Sequence, residues 1–330
     1  MMGQLNKLQS SEEQSTMEQS SRQQPSEEQS TKNVIQQANL TPGNINLLHL
    51  MIRSNKPIDA ITKVFKDCKK DINAVIFGAT ALSLTLYHNR MDVFDLILNE
   101  SDPELDIRSK DKNKRIEPPI VTACRQGKLD ASTRLLEGGC DTEGVDDVGH
   151  TALWLATRQR YPRICALLIR YGANVNPSVE WNRSPLYVSL KFPRRTDITE
   201  LFVYHGADVR IKGEHKFKSL LYWAMFHDSL NMVKVLANAG VNITTDGNIQ
   251  NNQLLPAFAQ NDEFQNWLQQ ELKNPPSLYH HCRIVIRRKI QDLHEGSNFL
   301  KNLNKLPLPS KVINYIALKD IIAESKQNMV

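Results

Sequence analysis

An all-α solenoid of stacked two-helix units is the fold class this sequence predicts, and three observations predict it. Segments beginning Asn46-Leu47-Leu48-His49, Thr80-Ala81-Leu82, Pro118-Pro119-Ile120, Thr151-Ala152-Leu153, Ser184-Pro185-Leu186 and Ser219-Leu220-Leu221 recur at steps of 34, 38, 33, 33 and 35 residues. A period near 33 is that of one helix-turn-helix unit per repeat. A second marker, Gly139-Cys140-Asp141, Gly172-Ala173-Asn174, Gly206-Ala207-Asp208 and Gly240-Val241-Asn242, keeps the same beat at 33, 34 and 34 residues. The composition, 40% hydrophobic over 330 residues with a formal net charge of +5, is that of an ordinary folded chain long enough for such an array.

Taken in order, residues 1–40 are rich in Ser, Gln and Glu, and the hexapeptide SEEQST occurs there twice. Such a segment buries too little apolar surface to offset its conformational entropy, so a disordered tail is expected. Residues 41–273 then carry about six repeats. At the start of each unit a Thr or Ser hydroxyl can cap a first helix, and proline suits the first helical position because its missing N–H costs nothing there. Small residues such as Ala123-Cys124 and Ala156-Thr157 let neighbouring helices approach. Apolar pairs such as Leu135-Leu136, Leu167-Leu168 and Val235-Leu236 mark the second helix, and the glycine after it permits a left-handed exit. The 38-residue step implies a longer loop around Lys110 to Arg115. Near Gln253 a degenerate unit with Leu254, Leu255, Phe258, Phe264 and Trp267 is expected to cover the last apolar face, as a solenoid requires.

After Asn274-Pro275-Pro276 the period stops. Ser277 follows the prolines as a cap for a fresh helix. Leu278, Cys282, Val285, Ile286 and Ile290 recur at three- and four-residue steps and form one apolar stripe, while Arg283, Arg287 and Arg288 are expected to keep to solvent. A stripe that narrow needs a partner.

Several chemistries are excluded by what the sequence lacks. No run approaches the ~20 apolar residues of a membrane helix, and the first residues lack a signal-peptide core, so an intracellular, cytoplasmic chain that also has access to the nucleus is expected, with no membrane partner. The five cysteines, Cys68, Cys124, Cys140, Cys165 and Cys282, form no CxxC pair and are expected to be reduced core thiols. His280-His281-Cys282 has no matching ligand pair elsewhere, so no metal or other cofactor is expected. Basic clusters at Lys110 to Arg115, Arg194-Arg195 and Arg287 to Lys289 are scattered, which argues for solvated faces rather than nucleic acid. No phosphate loop, nucleophile elbow or metalloprotease helix occurs, and no enzyme is expected.

The repeats resemble ankyrin repeats, best in residues 146–176, with Asp146, Gly149, Thr151, Ala152, Leu153, Ala156, Leu167, Leu168, Gly172, Ala173 and Asn176 in place. Ser277, Leu278, Cys282 and Ile286 resemble the Elongin-binding box that opens a SOCS box. About twenty residues on, Leu306-Pro307-Leu308-Pro309, followed by Val312, Ile313, Tyr315 and Ile316, resembles its cullin-binding box. Together these match the ankyrin-repeat and SOCS-box family over roughly residues 41–320. The resemblance implies a three-helix SOCS box in residues 274–320 with a short tail over 321–330. It further implies that Ser277, Leu278, Cys282, Val285 and Ile286 dock on Elongin C, bound to Elongin B. Leu306, Pro307, Leu308 and Pro309 would then favour cullin-5 with its RING subunit.

In that reading the chain is a non-catalytic substrate-recognition adaptor of a ubiquitin ligase, holding an unknown protein substrate on its repeats. Finger-tip residues Trp181, Arg183, Phe217 and Lys218 combine aromatic and cationic character suited to an interface. Trp154, Tyr187 and Tyr222 occupy position four of successive repeats, where packing between repeats is the commoner role. The alternative is a plain ankyrin scaffold or inhibitor whose C-terminal helices only cap the stack.

Overall fold

The computed structural model describes residues 44–177, 184–191, 196–211, 218–251, 254–274, 277–293 and 298–327. The expected disordered tail at 1–40 lies outside them. Residues up to Asp71 and residues from Ile72 form two compact units.

The first unit is a helical pair, α1 (Ile45–Arg53) and α2 (Ile58–Cys68), closed by a 3-10 turn at Lys69–Asp71. Ile45, Leu48, Ile52, Ile61, Phe65 and Cys68 form its buried face. They recur at the three- and four-residue steps of one helix side, which is why both helices are amphipathic.

In the second unit five two-helix repeats follow one another: α3 (Ala81–Tyr87) and α4 (Met91–Glu100), α5 (Pro119–Arg125) and α6 (Leu129–Glu137), α7 (Ala152–Gln159) and α8 (Pro162–Arg170), α9 (Pro185–Lys191) and α10 (Thr196–Tyr204), α11 (Leu220–Phe226) and α12 (Leu230–Ala239). The expected caps are formed. The hydroxyls of Thr80, Thr151, Ser184 and Ser219 accept from the backbone N–H three residues on, at 3.2, 3.2, 3.2 and 3.0 Å. Each satisfies one of the orphan donors of a helix start. Pro118 stands where a hydroxyl would, with extended backbone and no side-chain bond, and Pro119 supplies the pre-set first turn instead. First helices of neighbouring repeats pack against each other, and Ala81, Ala123, Cys124, Ala152 and Ala156 on them are all buried. Gly240 ends α12 at φ 113°, a conformation that favours glycine.

The long step before the third repeat is a hairpin, β1 (Ser109–Lys110) paired with β2 (Ile116–Glu117), whose tip closes where Asp111 accepts from the N–H groups of Asn113 and Arg115 at 2.7 and 2.9 Å. Beneath it, Arg125 reaches Glu117 at 2.5 Å and Asp146 at 2.9 Å, tying this finger to the next. Tyr187 is fully buried; its hydroxyl donates to the Lys218 carbonyl at 3.1 Å and accepts from the Trp223 indole at 2.9 Å. The position-four aromatic therefore packs between repeats here.

The stack ends in α13 (Gly247–Gln250), α14 (Pro256–Ala259) and α15 (Asp262–Lys273). Phe258 and Phe264 are fully buried edge to face at 4.8 Å, and they are the residues expected of a capping unit. Beyond it lie α16 (Leu278–Leu293), α17 (Phe299–Leu303) and α18 (Ser310–Ala317). A fourth helix, α19 (Lys319–Gln327), occupies most of the stretch expected to be a tail from residue 321. Leu318, left-handed at φ 64°, turns the chain back so that α19 packs on α10 and α12 with Ile322 buried. That contact is a tertiary one that nine residues of weakly periodic sequence do not announce.

Candidate functional site

Helix α16 starts where Ser277 caps it, the Oγ accepting from the His280 N–H at 3.2 Å. Its faces are then distributed in an unexpected way. Leu278 is 79% exposed, Val285 61% and Leu293 62%, and Cys282 is exposed between them. On the opposite side Arg283 and Arg287 are only 2% and 1% exposed. The expectation that these two arginines keep to solvent is overturned, while Arg288 is exposed as expected. Cys282 is likewise no core thiol. The other four cysteines are buried, and desolvation raises the thiols of Cys124, Cys140 and Cys165 to about 12 and that of Cys68 to about 11.

The physical reason is what α16 lies against. Its buried side meets the C-terminal ends of helices, where backbone carbonyls have no partner within their own helix. Arg287 donates to the carbonyls of Val203, in the last turn of α10, and Ile316, in the last turn of α18, at 2.6 and 2.8 Å. The Phe299 ring lies 4.9 Å from its guanidinium. Gln291 donates to the Gly206 and Ala207 carbonyls at 2.9 and 3.2 Å. Arg283 reaches the Asn238 amide oxygen and lies over the Tyr315 ring at 4.5 Å. A cation at a helix C-terminus also meets the negative end of the macrodipole. Burial pushes the Arg287 guanidinium down from its ordinary range, and the neighbouring charge of Arg283 adds to this. Apolar residues cannot bond those carbonyls, so the polar face turns inward and the apolar face outward.

The predicted stripe is therefore split. Leu278, Cys282 and Val285 face out. Ile286 is half-buried and packs on a small core of Ile290, Phe299, Leu303, Ile316 and Ala317, which Tyr204 at the end of α10 also joins. Two outward residues were missed, Tyr279 at 71% exposed and Leu293. Leu293 was available by extending the Leu278, Cys282, Val285 series along the same helix face. Tyr279 lies edge-on to Tyr315 at 5.8 Å, a contact between helices that spacing does not reveal.

Leu306 to Pro309 form the tight connection between α17 and α18. The Leu306 N–H donates to Leu303 and the Leu308 N–H to Leu306, at 3.1 and 2.8 Å, and Pro309 sets the start of α18. Leu308 turns into the box core, whereas Leu306, Pro307 and Pro309 are on the surface. Of the four finger residues expected to meet a target, Trp181, Arg183 and Phe217 lie outside the described residues. Lys218 is half-buried and holds Tyr187 through its carbonyl.

Among the described residues no group of three or more His, Cys, Asp or Glu is placed to hold a metal, and no helix is long and apolar enough to cross a membrane.

The stacked helical pairs with their fingers have the form of ankyrin repeats, and comparison with known proteins agrees. The family of ankyrin repeats matches residues 103–179 and 120–213, and the SOCS box family matches residues 274–317. The chain thus joins ankyrin repeats to a SOCS box, the architecture of an ankyrin repeat and SOCS box protein. It is 31% identical over 150 residues to human NF-kappa-B inhibitor alpha, covering 42% of this chain and 44% of that protein. It is 26% identical over 133 residues to the ankyrin repeat protein nuc-2 of Neurospora crassa, covering 40% of this chain and 12% of that one. The chain thus spans less than half the length of each of these curated relatives. An ankyrin repeat domain from Acinetobacter baumannii superposes with a TM-score of 0.51 at 23% identity, covering 59% of this chain and 98% of that domain, and so shares the fold. Ankyrin repeats and SOCS boxes are adaptor-type domains.

Proposed function

We propose that the chain is the substrate-recognition adaptor of an Elongin B/C–cullin-5 RING ubiquitin ligase, acting in the cytoplasm and also in the nucleus. The observation that carries this reading is the outward row of Leu278, Cys282 and Val285 on a helix whose other face is anchored by buried polar bonds. A row of exposed apolar side chains on an ordered helix costs solvation unless a partner covers it. In this reading Leu278 enters a pocket of Elongin C, Cys282 and Val285 follow on the same side, and Ser277 sets the helix start. Ile286 contributes only its exposed edge.

In the same reading Leu306, Pro307 and Pro309 touch cullin-5, while Leu308 holds the loop. A target held on the repeats would meet the charged conjugating enzyme at high effective concentration, so the chain supplies proximity and the assembled ligase supplies the chemistry.

The test is co-purification of the full chain with Elongin B–C and, separately, with cullin-5 and its RING subunit. Wild type is expected to retain both, Leu278→Ser to lose Elongin, and Pro307→Ala/Pro309→Ala to lose cullin alone. Failure of wild type to bind either would leave the other reading, a scaffold or inhibitor without ligase recruitment. The likeness to an NF-kappa-B inhibitor is the observation that keeps it in view.

A further inference from the structure

Outside the C-terminal box the described residues leave six large apolar side chains exposed, and four of them sit on three successive fingers. These are Val75 and Phe77, 51% and 84% exposed, Ile116 at 45% and Val148 at 62%. Exposed apolar surface gathered in one place marks an interaction site, whereas single exposed residues do not. The fingers are also fixed to one another. The Lys110 N–H donates to the Gly78 carbonyl at 2.6 Å and the Thr80 N–H to Ser109 Oγ at 3.1 Å. Arg108 spans the second and third fingers, donating to the carbonyls of Ile116 at 2.7 Å and Val145 at 2.6 Å. Such a ledge would lose little freedom on binding.

Charge decides what it fits. Residues 108–115 hold Arg108, Lys110, Lys112, Lys114 and Arg115 against one carboxylate, Asp111, which is engaged in closing the hairpin. Lys110, Lys112 and Lys114 are exposed and make no ion pair among the described residues. The third finger carries the opposite sign in exposed Asp147 and the first carries no charge, so the cationic part of the ledge is its second finger, beside the apolar first.

We infer that this ledge binds an extended protein segment that combines large apolar side chains with acidic residues. The apolar side chains would cover Phe77 and Ile116, and the acidic ones would face Lys110, Lys112 and Lys114. The inference rests on the reading that the repeats hold a target, and it names that target's chemistry.

The probe is a displayed library of short random-sequence peptides, selected on the immobilised full-length chain and then measured in solution. Enriched peptides are expected to pair aspartate or glutamate with large apolar residues and to weaken roughly tenfold or more between low and physiological salt. Phe77→Ser/Ile116→Ser should weaken them at least tenfold, and Lys110→Glu/Lys112→Glu/Lys114→Glu should reject them while retaining Elongin B–C, which shows that both variants are folded. Enriched peptides without an acidic excess, or equal binding to both variants, would overturn the inference. So would binding of random single-stranded DNA as tight as that of the peptides. Tighter peptide binding after Glu12, Glu13, Glu27 and Glu28 are changed to Gln would assign the ledge to the chain's own N-terminal segment and also overturn it. Peptide capture by a chain that fails to bind Elongin would instead sink the ligase reading and leave the ledge standing.

Discussion

The repeats and the helix that follows them place charge and apolar surface in opposite ways. Within the stack, Leu153, Ala156, Leu168 and Phe202 are sealed inside, and the buried carboxylate of Glu117 is matched by Arg125. In α16 Arg283, Arg287 and Gln291 are sealed beside Ile290 and matched by carbonyls and an amide oxygen, while Leu278, Val285 and Leu293 face out. A repeat is completed by the next copy of itself, so its apolar face has a covering partner within the chain. The first SOCS helix has a different neighbour, a row of helix ends. Those are satisfied by donors, and the apolar face is left for another molecule.

Breaking the ion pairs of the stack should cost most. Arg125→Met leaves Glu117, 1% exposed, without its cation and is expected to lower unfolding free energy by about 3–5 kcal/mol in a denaturant titration. Acid comes next. Burial, with the charge of Arg53 adding, lowers the His49 pKa to about 4, and neither ring nitrogen has a partner among the described residues. Burial also lowers His205 to about 4. The unfolded chain takes up these protons near pH 6.5 and the folded chain only near 4, so stability is retained above 6.5 and lost as pH falls toward 4. The loss from His49 is at most about 3 kcal/mol, and a denaturation series with His49→Leu should show a flatter acid limb.

The box sharpens the comparison. Arg287→Met removes two bonds to buried carbonyls but also a buried cation, and the two effects oppose each other, leaving an expected loss of about 1–3 kcal/mol. Hydrogen exchange should show that loss concentrated in α16 and α18. Leu278→Ser should change stability by less than about 0.5 kcal/mol, because the side chain it removes is already in water.

Most of the stack was legible because each unit repeats its own chemistry. Thr80, Thr151, Ser184 and Ser219 cap helices where their spacing said they would, Ala123 and Ala156 are buried in first helices, and Phe258 and Phe264 are buried against each other after the last repeat. The long finger between Ser109 and Glu117 was legible as a longer step. What could not be read was the orientation of α16, because periodicity separates a polar face from an apolar one without saying which faces the protein. Arg283 and Arg287 were expected in solvent, and helix ends contributed by residues more than eighty positions away drew that face inward. Cys282 was misread with it. The helix at Lys319–Gln327 was missed for a related reason, since its apolar surface is short and becomes useful only against α10 and α12.

The most direct measurement is the affinity of the full chain for Elongin B–C by calorimetry, run beside thermal unfolding, for wild type and Leu278→Ser. The account predicts that affinity falls by about ten- to a hundredfold, the worth of one buried leucine, while the unfolding midpoint stays where it was. A midpoint that drops with affinity unchanged would mean that Leu278 belongs to the chain's own core and that the outward apolar face is not a docking face.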